Sequence, residues 1–297
     1  MSVHQDTIFQ KFLAPLFGNF LVDQEAMKTF KQSIDWDKES DRLTNPGLTY
    51  PDYYRSQNFH GIKGGYLNSD APVSYDPITQ YVLPPTEPIV RQGLIDRIRV
   101  KPRRILDLGC GTGSTTLLLK QAFGEAEVIG IDLSPYMLVV AELKAQKAGL
   151  DIRFRHANAE HTGFPDGSFD LVSASLLFHE TPPEVAQTII KESFRLLRVG
   201  GELIVLDGNQ QTLRQTEWLT EIFEEPYIKA YAGASVDTWM SKAGFGQVRT
   251  EDWWWVHQIS RGVKPIVKNP STSVSSRTEV SYNKSEIDRS AGLPAPA

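Results

Sequence analysis

From Lys101 onward, short apolar runs alternate with stretches of helical periodicity. The runs Ile105–Leu108, Val128–Leu133, Ile152–His156, Phe169–Ala174 and Leu203–Asp207 suit strands covered on both faces. Helices are predicted between them: Thr115 to Phe123, Ser134-Pro135 to Gly149, and Pro182 to Gly200-Gly201. Ser134 with Pro135 gives a hydroxyl cap followed by a first-turn proline, and Gly149 stops that helix. Thr86-Glu87-Pro88 opens an earlier helix in the same way, running to about Arg99. Ser235 starts a last helix that Gly244 ends, and Gln247–Arg249 and Trp253–Ile259 read as two final strands. Such alternation predicts an α/β fold, a Rossmann-like, mostly parallel sheet with covering helices.

The flanks read differently. Ile8, Phe9, Phe12, Leu13, Leu16, Phe17, Phe20 and Leu21 lay one apolar stripe along a helix within 7–33, interrupted by Pro15 and Gly18. Residues 34–85 are rich in Tyr, Pro, Gly, Asn and Asp and read as irregular. Their aromatic density argues against disorder, and a loop of this length points to a function. Residues 1–85 are therefore expected to form a helical and loop cap over a substrate site. Residues 86–262 form the main domain, with 208–233 as a substrate-side insert holding Trp218, Phe223 and Tyr227. Residues 263–297 are Ser-, Asn- and Pro-rich and are expected to be a disordered tail.

Composition narrows the function. A net charge of −5 gives no basic face for nucleic acid. One cysteine excludes an internal disulfide and a multi-cysteine zinc site, and no metal ligand set is expected. No apolar run of about 18 residues exists for a membrane span. Nor does the N-terminus read as a signal peptide, so the cytoplasm is the expected compartment. A homodimer stays open.

Chemistry centres on Ile105-Leu106-Asp107-Leu108-Gly109-Cys110-Gly111-Thr112-Gly113, a strand running into a turn that bares its backbone. Gly109 and Gly111 fit the first two positions of a dinucleotide loop, but the third position holds Ser114. Asp107 before the first glycine repels a pyrophosphate and suits a cationic or amino group. Asp132, about 20 residues beyond the loop at the end of the second strand, suits ribose hydroxyls. Ribose, a positive portion and no demanding phosphate are properties of S-adenosylmethionine.

Residues 100–210 resemble a class I S-adenosylmethionine-dependent methyltransferase, similar to the branch of the ubiquinone/menaquinone, tocopherol and sterol methyltransferases. The glycine loop carries the likeness together with Gly130-Ile131-Asp132-Leu133-Ser134-Pro135-Tyr136-Met137, Ala157-Asn158-Ala159-Glu160, Phe164–Asp170 and Leu196–Gly201. The fold it implies has seven strands with an antiparallel last strand. It also implies roles. Gly109, Gly111 and Gly113 pass under the methionine part, with Cys110 in the same loop, and Asp107 helps hold the amino group through water. Asp132 takes the ribose, and Leu133 lies against adenine. Asn158 and Ala159 read the adenine amino edge, and Ser175 faces the methionine part. Met137 and Glu160 count with the donor site, although Met137 also suits a core position.

Catalytic candidates are His179 and Glu180 just past the fourth strand, then His60 and Tyr66 in the loop Phe59–Leu67, and Asp207 at the end of the fifth strand. The expected reaction is methyl transfer to a small aromatic, quinone or lipid-like acceptor. The alternatives are a catalytically silent S-adenosylmethionine-binding regulator and an NAD(P)-dependent oxidoreductase.

Overall fold

Successive residues of each central strand point to opposite faces of one sheet, and both faces are buried. Ile105, Leu171 and Ile204 pack on one side with Val90 and Leu94 of the helix Glu87–Asp96 and Leu119 of the helix Ser114–Ala122. Leu106, Val172 and Leu203 pack on the other, with Ile189 and Ile190 of the helix Pro183–Leu196 and Val236 and Met240 of the helix Val236–Ala243. Two-sided burial explains why these strands are unbroken apolar runs rather than alternating ones.

The computed structural model describes residues 23–82, 85–222 and 225–266. The strands are β1 (Arg104–Leu108), β2 (Glu127–Asp132), β3 (Arg153–His156), β4 (Phe169–Ser175), β5 (Leu197–Gly208), β6 (Gly246–Trp253) and β7 (His257–Val263). They form one seven-stranded sheet in the order β3-β2-β1-β4-β5-β7-β6. β1 to β5 are parallel, and β7 runs antiparallel to both β5 and β6. The expected seven-stranded Rossmann-like sheet with an antiparallel last strand is what forms. The chain winds outward from β1 to β3, then returns to place β4 on β1's other side. That reversal opens a crevice at the carboxyl ends of β1 and β4, where sheets of this class bind ligands.

Several boundaries differ from the expected ones. The helix from Pro183 stops at Leu196, and β5 begins at Leu197 rather than Glu202. Its first residues extend through Gly200, whose N–H donates to Lys264 O. The final hairpin is longer than expected, turning at residues 254–256. Thr86 occupies the N-cap position without a side-chain cap bond, whereas Ser134 and Ser235 cap their helices through the N–H groups of Met137 and Thr238.

The main correction falls in 34–85, which is not irregular. It contains helices Trp36–Leu43, Asp52–Arg55 and Asp70–Val82. The last keeps Pro77 in its interior, which masked its helical character. Of the stripe expected over 7–33, Gln24–Gln32 is helical, and positions 1–22 lie outside the described residues. The expected tail beyond 266 and Phe223 of the insert also lie outside them. Among the described residues, no helix is long and apolar enough to cross a membrane.

The N-terminal segment is tied to the sheet domain at several points. Phe59, Tyr66 and Ala71 form a small core with Met137, packed by Tyr54, Tyr75 and Tyr227. Ser134 Oγ donates to Tyr66 O at 2.6 Å, and Asn45 N–H to His156 Nδ1 at 2.9 Å. Asp76 accepts from Thr112 Oγ1 at 2.5 Å and from Lys144 Nζ at 2.7 Å.

Candidate active site

The turn after β1 is held open by its own backbone. Cys110 N–H donates to Ile131 O, and Gly113 N–H to Cys110 O. Gly109 and Gly111 have φ of 59° and 53°, the left-handed region that side chains resist. A Cβ on Gly109 would run into Leu177 at 2.6 Å. One on Gly111 would meet nothing within 4 Å, so the bare backbone there faces open space.

That space is a cleft of about 820 Å³, counting the part open to solvent. Gly109, Cys110, Gly111, Asp132, Leu133, Met137, Asn158, Ala159 and Ser175 all line it. Nine of the twelve expected donor-site residues thus come together, contributed by the ends of β1 to β4. Gly113, Glu160 and Asp107 do not line it. Glu160 accepts from Tyr53 OH at 3.1 Å and from Asn158 Nδ2 at 3.3 Å, beside the cleft.

Asp107 makes no direct approach to the cleft. It is buried behind the loop, with Thr116 Oγ1 donating to one oxygen and Ser173 Oγ to the other, both at 2.7 Å. Burial raises its pKa against those two hydrogen bonds. The carboxylate fastens β4 and the helix Ser114–Ala122 to the strand end instead of facing the cleft.

Asp132 does face it. Its oxygens accept from Gly111 N–H and Ser134 N–H, each at 2.8 Å, so one side chain fixes the loop and the start of the next helix. Burial nevertheless lifts its pKa to about 6. Burial also holds the Cys110 thiol well above its ordinary value, which leaves it unreactive.

The opposite wall is assembled from three distant segments. Glu180 ends a short 3₁₀ turn, Phe178–Glu180, after β4. Its Oε1 accepts from Tyr66 OH at 2.7 Å and lies 3.2 Å from His60 Nε2. The other His60 nitrogen, Nδ1, lies 2.6 Å from Oε1 of Glu225 in the insert. Among the described residues no other donor reaches Glu225, whose side chain is fully buried. Burial opposes a charge on His60, but Glu225 and Glu180 outweigh it and hold the ring's pKa well above the usual. His60 keeps a left-handed backbone, φ 50°, to make both contacts.

Three of the five catalytic candidates, His60, Tyr66 and Glu180, therefore meet, and Tyr66 and Glu180, but not His60, line the cleft. His179 does not join them. Its Nδ1 is 2.6 Å from Asp207 Oδ1, and Asp207 Oδ2 accepts from Phe178 N–H. Neither His179 nor Asp207 lines the cleft. Burial disfavours the charged His179 ring, yet Asp207 raises its pKa to about 9. The pair braces the turn that carries Glu180.

His60, Glu180 and Glu225 also form a group whose donor atoms fall within 4.8 Å, close enough to share a cation. As placed, each imidazole nitrogen already faces a carboxylate, so the ring bridges the acids itself. Two site residues have no precedent in the sequence reading. Glu225 is one. Arg91 is the other: it lines the cleft, its Nε donates to Glu87 Oε1 at 2.7 Å, and its Nη1 to Thr115 Oγ1 and Ser175 Oγ. The Glu87/Arg91 spacing was a possible signal, but such pairs are common on helix surfaces.

Residues 105–201 match the family model described as a methyltransferase domain. These residues are similar to a methyltransferase domain. Over 106 residues it is 42% identical to a demethylmenaquinone methyltransferase of Thermus thermophilus, covering 36% of this chain and 47% of that one. A demethylmenaquinone methyltransferase of Geobacillus kaustophilus is 37% identical over 126 residues, 41% of this chain and 53% of the relative. The chain thus spans about half the length of the curated relatives it matches. Two solved structures share the domain's fold. A phosphoethanolamine N-methyltransferase of Haemonchus contortus, in complex with S-adenosyl-L-methionine, has a TM-score of 0.54 at 15% identity, over 75% of this chain and 61% of the other. A putative O-methyltransferase of Nostoc punctiforme has a TM-score of 0.56 at 17% identity, over 80% and 69%. The glycine loop, Asp132, Asn158 and Glu180 lie within the matched residues; Arg91, Glu225, His60 and Tyr66 lie outside them.

Proposed function

We propose that this chain binds S-adenosylmethionine in the cleft and transfers its methyl group to a small hydroxylated aromatic ring of quinol type. The observation that carries the reading is Asp132, a buried acid gripping the bare Gly111 backbone in the same cleft as Glu180. The fit is chemical. An acid at that strand end suits ribose hydroxyls. Leu133, Met137 and Ala159 supply an apolar slot for adenine, with the Asn158 amide at its edge.

When bound, the donor supplies a methyl group on a positively charged sulfur, open to in-line displacement. Charge disperses in such a step, so alignment supplies much of the acceleration. The acceptor side is the part this chain builds for itself. Tyr53, Tyr54, Phe59, Tyr66 and Tyr75 offer ring faces to an aromatic acceptor, and residues 36–82 act as a cap. Glu180 takes the acceptor's hydroxyl proton, leaving the O–H electron pair to drive attack of a ring carbon on the methyl as the sulfur–methyl bond breaks, and that carbon then gives its own proton to water to restore the aromatic ring. His60 and Tyr66 orient Glu180, through contacts at 3.2 and 2.7 Å to the same carboxylate oxygen. Demethylmenaquinone methyltransferases among the relatives support a quinone-type acceptor.

The test is incubation of the full chain with methyl-labelled S-adenosylmethionine and a panel of benzene- and naphthalene-diols, amines and thiols, alongside nicotinamide-cofactor titration. Label in the diols alone is the expected outcome. Tight nicotinamide binding without S-adenosylmethionine binding overturns the reading. Donor binding with no turnover on any acceptor favours a silent binding protein.

A further inference from the structure

The ring hydroxyls of the aromatic wall have partners, with one exception. Tyr53 OH donates to Glu160 at 3.1 Å and Tyr66 OH to Glu180 at 2.7 Å, and the hydroxyl of Tyr75 meets the Arg91 guanidinium. The hydroxyl of Tyr54 is buried, and among the described residues no donor or acceptor reaches it. A phenol that loses water without gaining a hydrogen bond is destabilising to the ligand-free protein. The ring itself is firmly held. It lies 5.7 Å from the Phe59 ring and 6.2 Å from that of Tyr66, with Tyr50 stacked on it at 6.4 Å. Tyr54 belongs to the short helix Asp52–Arg55 and lines the cleft. Packing of this kind fixes the oxygen's position and leaves it unsatisfied, which is the condition of a group kept for a ligand.

Its surroundings say what kind of ligand group that is. Burial raises the Tyr54 pKa, and Asp132 and Glu180, both lining the cleft, raise it further. The phenol therefore stays protonated, and its proton is unshared. Near two acids an anionic ligand group is repelled, so the proton suits a neutral oxygen. The acceptor read above carries two such oxygens on one ring. Glu180 takes the proton of the first. The second leaves water as well and needs a donor. Tyr54 packs against Tyr66, whose hydroxyl sits on Glu180, so a ring that reaches Glu180 lies along the same wall. On the donor reading, ribose hydroxyls already have their partner in Asp132.

We propose that the Tyr54 hydroxyl donates a hydrogen bond to the second ring oxygen of the acceptor, so that the site selects rings with two oxygens over rings with one. This rests on the quinol reading above and deepens it. Tyr54 is then a specificity residue, which touches the acceptor and takes no part in moving protons. Tyr53 and Tyr66, already paired with Glu160 and Glu180, leave that role to it.

The test compares a naphthoquinol with the naphthol that lacks its second oxygen, using the full chain and labelled S-adenosylmethionine. Tyr54→Phe removes one oxygen and keeps the ring. The quinol-to-naphthol ratio of kcat/KM is expected to fall about 10- to 100-fold in the variant, the range for a lost hydrogen bond that leaves a buried oxygen unpaired. Comparing that ratio between the two proteins cancels the intrinsic reactivity of the rings. Without ligands the variant loses only an unsatisfied group, so its thermal midpoint is expected to hold or rise. Calorimetry is expected to find donor affinity within about threefold of native. An unchanged ratio, with both proteins active on the quinol, overturns the proposal. So does a fall in donor affinity with the ratio kept, which puts the hydroxyl on the donor. A lowered midpoint overturns it too, by showing that the hydroxyl has a structural partner. Native protein that methylates neither ring overturns the quinol reading itself, and the role of Tyr54 falls with it.

Discussion

Nδ1 of His60 lies 2.6 Å from Oε1 of Glu225, and the same ring's Nε2 lies 3.2 Å from Oε1 of Glu180. One imidazole therefore joins the N-terminal segment, the insert and the turn after β4. Burial works against its charge, but two acids prevail and hold its pKa well above the usual. Removing one acid lowers its pKa. Glu225→Gln should slow methyl transfer by roughly tenfold and move the alkaline limb of the pH–rate profile to lower pH. Because the native ring's pKa is raised, the stability from its pairing is present at low pH and lost as pH climbs through that pKa. Thermal midpoints across pH should show that loss beginning earlier in the variant. Identical alkaline limbs would count against a positioning role.

Glu180 touches the cleft directly. Glu180→Gln keeps the shape and the contact with Tyr66 but removes the proton acceptor. Turnover should fall about 10²- to 10³-fold, the range for a general base. The dissociation constant for S-adenosylmethionine should change by less than about threefold, since the side chain faces the acceptor. Stopped-flow turnover alongside calorimetry separates the two effects. His179→Asn, one residue earlier but off the cleft, should act through Glu180's placement and lower turnover less.

Asp132 gives two pH slopes of opposite sign. Its buried carboxyl titrates at about 6. A raised folded-state pKa means the ligand-free protein gains stability from this group on acidification and loses it as pH rises through 6. Ribose hydroxyls donate to the ionised form, so donor affinity should do the reverse, weakening about tenfold per pH unit below 6. Asp132→Asn should flatten that dependence and weaken binding by about 1–3 kcal/mol. Calorimetric titrations between pH 5 and 8, run in roughly half-unit steps, are the measurement. Affinity independent of pH in the native protein would sink the role.

Ser134 does two jobs. Its hydroxyl accepts from Met137 N–H at 3.1 Å, capping a helix, and donates to Tyr66 O at 2.6 Å. Ser134→Ala should destabilise the protein by about 1–2 kcal/mol through the lost cap. Hydrogen exchange should also speed up at residues 59–67, beyond the helix itself. Exchange confined to 134–140 would mean that the hydroxyl is only a cap.

The sheet and the donor side were legible because their determinants are local. Runs such as Ile105–Leu108 reflect two-sided burial, and a glycine loop ahead of a helix is a contiguous word. Errors arose where local chemistry was ambiguous. The helix Asp70–Val82 contains Pro77 and little periodicity, yet packing on the helices Glu87–Asp96 and Pro135–Ala148 stabilises it. Arg198 to Gly201 read as a helix end, but parallel pairing of β5 with β4 and cover by Lys264 draw them into a strand. Asp107 kept its residue type and changed its partners, because Thr116 and Ser173 sit one on each side of it. Arg91 and Glu225 were invisible for another reason. What distinguishes them is a partner far along the chain, Ser175 for one and His60 for the other.

Tyr227 OH donates to Tyr53 O at 3.3 Å, a second bond between the insert and the N-terminal segment. Both segments lie outside the matched domain. With the His60–Glu225 contact, that makes two ties between segments far apart in the chain, so a substitution that loosens the insert is transmitted to the loop that carries Tyr53, His60 and Tyr66.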